Sequence, residues 1–183
     1  TKDGEKAVHQ GMVAAVWPLD PPGLDEVLAN AGKGPLKIIL LDQLSDPRNV
    51  GAIMRSARAF GVAAMIATHH NAPEESGALA RTATGALEHV PLVRVVNLAR
   101  TIKMLRAEDI TVAGLTRDGR MTVQILSQYS RLGIVLGAEG PGLRRLTQEH
   151  CDHLVKIEIN NNVNSLNVSN AAAIALYAAK VGA

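Results

Sequence analysis

Aromatic residues and cysteine are nearly absent from this 183-residue chain. Aromatics make up 2% of the sequence, and Cys151 is its only cysteine. Because apolar residues still make up 47%, the core must be built from Val, Ile, Leu, Ala and Met, which suits a parallel sheet covered by Ala-rich helices. A single cysteine excludes an internal disulfide bond and indicates a reducing compartment, so we predict a cytoplasmic protein.

A membrane-length apolar run and a large net charge are also missing. No run is long enough to cross a bilayer, so we predict no membrane contact. The formal net charge is only +2, which means that any RNA contact must come from local basic clusters. The segment from His150 to His153 holds two His, one Cys and one Asp. It lacks the spacing and partners of a zinc site, and we predict no metal.

Strand-like apolar runs alternate with helical patterns from residue 36 onward. This alternation predicts an α/β fold, a mostly parallel sheet flanked by helices, with ligands bound beyond the carboxyl ends of the strands. The Pro/Gly-rich residues 17–35 read as a linker with one short helix. Strands are predicted at 37–42, 62–67, 90–95, 110–115, 132–137 and 154–159. Helices are predicted near 50–60, 74–82, 97–107, 142–149 and 168–180.

The loop after the first strand leads into a helix that carries an off-stripe arginine. Asn49 is a good N-cap for this helix. Arg55 lies off the apolar stripe that Val50, Ile53 and Ala57 form at helical spacing. Two interpretations stay open, a solvated arginine or an anion site made from the helix N-terminus and the guanidinium group.

A glycine-rich loop follows the strand at 132–137. Gly137, Gly140 and Gly142 allow a ligand to approach the backbone closely. Their spacing matches neither the dinucleotide fingerprint nor the phosphate-binding P-loop, so a nicotinamide-dependent oxidoreductase is only a distant alternative. Glu139 is either an ordinary loop carboxylate or a group that orients a substrate.

The last strand leads into a dense polar loop. Six of the eight residues from 160 to 167 are Asn or Ser. A long turn capped by Asn167 or Ser169 explains one or two of them and leaves the rest unexplained. We therefore expect a hydrogen-bonding surface here.

Together, the three loops resemble the signature motifs of the SpoU (TrmH) branch of the SPOUT methyltransferases, from about Leu36 to Tyr177. The first motif matches through Asn49-Val-Gly51 and Arg55, the second from Gly137 to Leu143, and the third from Ser165 to Ser169. The family usually has Pro where Glu158 stands and Gly where Asn161 stands. Since Asn tolerates positive φ best among the substitutes, we expect a left-handed backbone at Asn161.

The resemblance implies a fold with a deep trefoil knot at the C-terminus, S-adenosyl-L-methionine as cofactor, an RNA substrate and a homodimer. It is strongest to the group that methylates a guanosine of 23S ribosomal RNA at the ribose 2′-hydroxyl. By the same resemblance, 1–16 is the remnant of an N-terminal RNA-binding domain, 17–35 the linker and 36–183 the catalytic domain. The sequence also leaves open a transfer RNA 2′-O-methyltransferase and a non-catalytic module that binds RNA or S-adenosylmethionine.

The resemblance also assigns roles to individual residues. The implied cofactor-binding residues are Thr116, Gly137, Ile157 and Leu166. The implied catalytic and substrate residues are Asn49, Arg55, Glu139, Ser165 and Asn167. Because a guanidinium group stays protonated, we expect Arg55 to hold a phosphate and stabilise the developing alkoxide, with Glu139 or that phosphate as proton acceptor.

Overall fold

The computed structural model describes residues 20–70, 73, 76–160, 162–163 and 165–180. The predicted domain remnant at 1–16 and the backbone of Asn161 lie outside these residues. No described helix has the length and apolarity needed to cross a membrane.

Six helices and seven strands make up the described chain, together with one 3₁₀ helix, Val123–Gln128. The helices are α1 Leu24–Ala31, α2 Pro47–Ala59, α3 Gly77–Ala83, α4 Leu98–Ala107, α5 Arg145–His150 and α6 Val168–Ala178. The strands are β1 Leu36–Asp42, β2 Ala64–Thr68, β3 Leu92–Val95, β4 Thr111–Leu115, β5 Met121–Thr122, β6 Arg131–Gly137 and β7 His153–Lys156.

The seven strands form one parallel sheet in the order β3-β2-β1-β6-β4-β7-β5. The predicted α/β class is therefore confirmed. All six predicted strands are present, but the last one ends at Lys156 rather than at 159. Ile157 and Ile159 made residues 157–159 read as strand, yet this segment leaves the sheet and these two side chains line a cavity. The two-residue β5 was not predicted because it is too short to show a pattern.

Helices cover both faces of the sheet and give it two apolar cores. On β1, Ile39 and Leu41 point into a core shared with α2, α3 and α6, whereas Ile38 and Leu40 point into a core shared with α1 and α4. This alternation explains why β1 is apolar at every position from Ile38 to Leu41. All five predicted helices are present.

The short helix of the predicted linker, α1, packs against the sheet. Leu24 and Val27 are buried in the second core. The guanidinium group of Arg131, at the start of β6, donates hydrogen bonds to the carbonyl oxygens of Gly32 and Gly34, both at 2.8 Å. Residues 24–34 therefore belong to the same packed unit as the sheet.

The sheet changes direction between β1 and β6. The chain moves outward from β1 through β2 to β3, whereas β6, β4 and β7 lie on the other side of β1. At the carboxyl edge Asp42 pairs with Gly137. Such a switch point opens a crevice beyond the strand ends, and it brings the loops after β1, β4, β6 and β7 together.

Candidate active site

Helix α2 begins earlier than the sequence predicted. Asp46 is its N-cap and accepts a hydrogen bond from the backbone N–H of Arg48 at 3.0 Å, and Pro47 occupies the first helical position. The prediction that Asn49 caps the helix is therefore wrong. The Asp-Pro pair is a better start, because proline has its helical φ fixed and needs no N–H partner there. The side chain of Asn49 is left free for contacts outside the helix.

That side chain joins the three predicted loops in one hydrogen-bond network. One carboxylate oxygen of Glu139, Oε1, accepts from the Asn49 amide at 3.2 Å and from the Asn167 amide at 3.0 Å. The Asn167 amide nitrogen also donates to Asn49 Oδ1 at 3.0 Å. Its own Oδ1 accepts from the backbone N–H and the hydroxyl of Ser169, at 2.9 and 2.6 Å, and so caps α6. Residues from all three motifs therefore meet.

A cavity of about 510 Å³ lies beside this network. It is lined by all four predicted cofactor-binding residues, Thr116, Gly137, Ile157 and Leu166. Glu139, Ser165 and Asn167 line it too. The structure therefore brings seven of the nine predicted site residues to one cavity, and Asn49 joins them through hydrogen bonds.

The departure at Glu158 leaves the cavity wall uncharged at that point. Ile157 and Ile159 line the cavity, whereas Glu158 between them is exposed and is not part of the lining. The chain alternates here as an extended segment does, so successive side chains point to opposite sides.

The glycine-rich loop after β6 folds tightly back on itself. A Cβ atom added to Gly137 would lie 2.3 Å from the carbonyl carbon of Gly142, so no side chain fits there. Gly140 and Gly142 have φ values of 87° and 70°, a region that favours glycine. The N–H of Gly142 donates to the carbonyl of Ala138 at 3.0 Å and closes the loop.

Arg55 stands apart from the cavity and the network. It lies two turns into α2, roughly 12 Å along the axis from Pro47 at 1.5 Å per residue, and its side chain is exposed. Its side chain makes no hydrogen bond or ion pair with any described residue. At the N-terminus of α2, Asp46 accepts from the backbone N–H of Arg48, and no hydrogen bond links this cap to the Arg55 side chain.

An ion pair between a buried carboxylate and a half-exposed arginine lies at the switch point, and it escaped the sequence analysis. Asp42 is fully buried, and its carboxylate accepts from Arg144 Nε at 2.6 Å and from the Arg144 backbone N–H at 2.9 Å. The available signal was a lone carboxylate at the end of an otherwise apolar strand. The partner could not be inferred, because it follows 102 positions later.

Cys151 and His153, which follow α5, have separate structural partners. The Cys151 thiol donates to the carbonyl of Thr147 at 3.2 Å. Burial raises the pKa of this thiol to about 12, and the negative charges of Asp152 and Asp42 add to the effect. His153 Nε2 is hydrogen-bonded to the Tyr129 hydroxyl at 2.7 Å.

Asp152 has the same kind of partners as Asp42. Its Oδ1 lies 2.7 Å from Arg106 Nε, and its Oδ2 accepts from the backbone N–H of Val112 at 2.8 Å. It directly precedes β7 and is outside the cavity lining. No group of three or more metal-ligating side chains occurs within the described ranges.

Known proteins share this sequence and architecture. Residues 37–177 match the model of the SpoU rRNA Methylase family. The chain is 42% identical to the 23S rRNA (guanosine-2′-O-)-methyltransferase RlmB of Escherichia coli, over 94% of this chain and 72% of that protein. It is 43% identical to RlmB of Vibrio vulnificus, over 94% of this chain and 70% of that protein.

A solved structure of this family has the same fold. The SpoU methyltransferase AviRb from Streptomyces viridochromogenes, in complex with the cofactor AdoMet, superposes with a TM-score of 0.77 at 28% identity. The match covers 86% of this chain and 64% of the AviRb chain, so this chain spans a little under two thirds of that protein.

These matches confirm the resemblance drawn from the three loop motifs. The family model spans from β1 to α6, and within it the three motifs meet at one cavity. The expectation of an RNA methyltransferase that uses S-adenosylmethionine is confirmed at the level of the family. The chain belongs to the SpoU rRNA methylase family.

Proposed function

We propose that this chain transfers a methyl group from S-adenosylmethionine to the ribose 2′-hydroxyl of a guanosine in 23S ribosomal RNA. The observation that carries the proposal is the meeting of Asn49, Glu139 and Asn167 in one network beside the cavity. The 42% identity to an RlmB enzyme over most of the chain supports the 23S substrate. Because bacterial ribosomal RNA lies in the cytoplasm, we assign the protein to that compartment.

The cavity fits S-adenosylmethionine in size and in chemistry. Its volume of about 510 Å³ lies in the range of cofactor sites. Leu136, Ile157 and Leu166 supply apolar wall for an adenine ring. Arg117 and Asp118 also line the cavity and offer opposite charges to the zwitterionic amino-acid end of the cofactor.

The residues that would hold the cofactor are Thr116, Gly137, Ile157 and Leu166. When bound, S-adenosylmethionine supplies an electrophilic methyl group on a sulfonium. The absence of side chains at Gly137 and Gly142 brings backbone N–H and C=O groups to the cavity wall, where they can recognise polar edges of a ligand.

Glu139 is placed to accept the proton of the ribose hydroxyl. Oε1 is held by two amide donors, and Oε2 makes no hydrogen bond to any described residue. A carboxylate fixed through one oxygen keeps the other in a constant position for proton transfer. Ser165, which lines the cavity, can orient the ribose by hydrogen bonding.

We propose that Arg55 acts on the RNA from outside the cavity and the network. Its charge is permanent and its guanidinium group is free of partners within the described chain. It can therefore hold the phosphate next to the target ribose and stabilise the negative charge that develops on the 2′-oxygen. The reaction is accelerated mainly because the ribose hydroxyl and the methyl donor are held in the correct orientation.

We further propose the knotted C-terminus that the family resemblance implies. β7 lies in the sheet between β4 and β5, which are consecutive in the chain, so residues 116–120 must cross it. A Cβ atom added to Gly119 would lie 2.4 Å from the carbonyl carbon of Val155, which marks the crossing as a tight one. From β7 the chain runs back past Glu139 to α6. This path through closely packed loops supports a threaded arrangement.

The homodimer is also a proposal, and helix α6 supports it. One side of α6 is buried through Ala172, Ala175 and Leu176. The other side leaves Ile174 and Tyr177 exposed by 40% and 62%. A helix that is apolar on both sides needs cover on both, and a second copy of the chain provides it.

Tritium transfer from labelled S-adenosylmethionine to unmodified transcripts tests the reaction and its substrate. We expect label in 23S ribosomal RNA, at a guanosine that resists cleavage on the 3′ side in alkali, and none in transfer RNA. Glu139→Gln is the negative control, because Gln keeps the Oε1 contacts and loses the proton acceptor. Label in transfer RNA alone would show that the alternative, a transfer RNA 2′-O-methyltransferase, is correct. Cofactor binding with label in neither RNA would favour the non-catalytic module.

A further inference from the structure

Asp42 holds both ends of the glycine-rich loop that forms one wall of the cavity. Its backbone pairs with Gly137, the residue from which the loop departs. Its carboxylate binds Arg144, the residue to which the loop returns, through Nε at 2.6 Å and the backbone N–H at 2.9 Å. Asp42 therefore contacts the residues on both sides of loop residues 138–143. Its main chain pairs with Gly137, and its side chain binds Arg144.

Burying a carboxylate fully has a large desolvation free energy unless strong hydrogen-bond or ionic partners compensate for it. Asp42 has no exposed surface, whereas the Arg144 side chain is 48% exposed. An apolar residue at the end of β1 would avoid the desolvation cost of this carboxylate, so fold stability alone does not explain its presence. These contacts fix a loop that glycines make intrinsically free, since Gly140 and Gly142 both lie between Gly137 and Arg144.

We propose that Asp42 is a positioning residue for cofactor binding. It does not line the cavity itself. It acts by holding the loop, through Arg144, in the closed form in which Ala138 and Gly142 are paired and Glu139 faces Asn49. A loop held in its binding conformation before the ligand arrives has less conformational entropy to lose on binding. The inference rests on the proposed function, because the cavity must bind S-adenosylmethionine.

Calorimetric titration of S-adenosylmethionine into Asp42→Asn tests this role. Asn keeps the size of Asp, but it loses the charge and turns an NH₂ group toward one Arg144 donor. We expect the Kd and the KM for S-adenosylmethionine to rise at least about tenfold, while kcat at saturating cofactor stays within about threefold. Hydrogen exchange at residues 138–144 should become faster.

Asp152→Asn is the matched control. Asp152 binds an arginine Nε and a backbone N–H at almost the same distances, but it lies at the amino edge before β7. We expect a lower Tm in this variant with unchanged Kd and KM. If Asp42→Asn does not fold, Arg144→Gln replaces it in the titration, because it alters a half-exposed side chain. Arg144→Gln should raise the Kd more than Arg144→Lys does, because Lys keeps a cation.

Three outcomes would overturn the proposal. The first is a wild-type Kd in Asp42→Asn or, where that variant does not fold, in Arg144→Gln. The second is an equal rise in Kd in Asp42→Asn and Asp152→Asn. The third is a loss of kcat in Asp42→Asn while its KM is unchanged. Wild-type protein that binds no S-adenosylmethionine would instead overturn the proposed function, whatever the variants do.

Discussion

Asn167 connects more of the site than any other single residue described. Its amide nitrogen donates to Asn49 and Glu139, and its amide oxygen caps α6 through Ser169. A side chain that serves both a helix cap and a site network couples the position of the helix to that of the network. The Arg55 side chain, in contrast, makes no hydrogen bond or ion pair with these residues, which separates its role from theirs.

This separation predicts how the chain responds to the loss of Arg55. We expect Arg55→Ala to lower methyl transfer by at least about 100-fold, because it removes the charge that stabilises the alkoxide. Cofactor affinity should stay within a few-fold, since Arg55 is absent from the cavity lining. Tritium transfer and calorimetry measure the two effects.

Arg100→Ala is the control for this change, because Arg100 is likewise exposed but belongs to α4. It should leave both quantities unchanged. Loss of cofactor binding together with activity in Arg55→Ala would contradict the role assigned to Arg55.

Cys151 should resist alkylation in the folded protein. Burial raises its pKa from 9.0 to about 12, which lowers the thiolate fraction at pH 8 about a thousandfold, since each pKa unit is a factor of ten. Iodoacetamide should label Cys151 in urea but not in buffer, as mass spectrometry would show. Rapid labelling of the native protein would contradict the raised pKa of this partly buried thiol.

The same pKa difference has a consequence for stability. The folded state favours the protonated thiol, so this contribution is fully present below about pH 9 and is lost as the pH rises toward 12. The free energy of unfolding should therefore decline in alkaline solution. Cys151→Ala should reduce the steepness of that decline.

At the scale of the elements, α2 and α3 pack closely against each other at Gly51. A Cβ atom added there would lie 2.7 Å from Thr82 Cβ and 3.0 Å from the Ala83 backbone nitrogen. Gly51→Ala gains about 1 kcal/mol in helix propensity and loses about 1–3 kcal/mol through overpacking. The crowding includes backbone atoms that cannot move aside, so we expect a net loss of about 1 kcal/mol in urea unfolding.

Gly34→Ala provides the comparison, because its added Cβ would meet only the Ala31 carbonyl oxygen at an ordinary 3.4 Å. Its free energy of unfolding should change by less than about 0.5 kcal/mol. A Gly51→Ala protein as stable as the wild type would mean that the two helices can separate freely.

Most elements could be predicted from sequence because their signals are local. Buried parallel strands are continuous apolar runs, and in helices the apolar residues recur every three to four positions. The start of α2 was misjudged because Asn49 and Asp46 are both good caps, and only the pairing of Asp46 with Pro47 decides between them. β5 depends on its neighbour β7 and has no pattern of its own.

The sequence could predict which loops form the site, but it could not predict which side chains in these loops bind each other. Loops at the carboxyl edge of a parallel sheet meet at a switch point, so three polar loops after strands indicate one site. Which strands are neighbours is a property of the tertiary fold. For that reason the Asp42–Arg144 pair, and the exclusion of Arg55 from the network, appeared only in the structure.

At the scale of the whole molecule, the exposed side of α6 predicts a dimer. Light scattering after gel filtration should give twice the chain mass of 19.3 kDa. Ile174→Asp should shift the protein to the monomer, because it places a charge in the apolar surface that a second copy covers. Met104→Asp is matched to it, since Met104 is 38% exposed and Ile174 is 40% exposed, but Met104 lies on α4. A monomeric wild type, or equal effects of both changes, would count against this interface.

The position of β1 between β2 and β6 has a consequence for synthesis on the ribosome. β6 begins at Arg131, 36 residues after β3 ends at Val95. While that stretch is being translated, the nascent chain carries a half-built sheet whose β1 edge exposes unpaired N–H and C=O groups between apolar faces. Such an edge attracts other chains and recruits chaperones. This protein should therefore complete its fold late, after β6 has left the exit tunnel, and depend on chaperones more than proteins of its size whose neighbouring strands are consecutive.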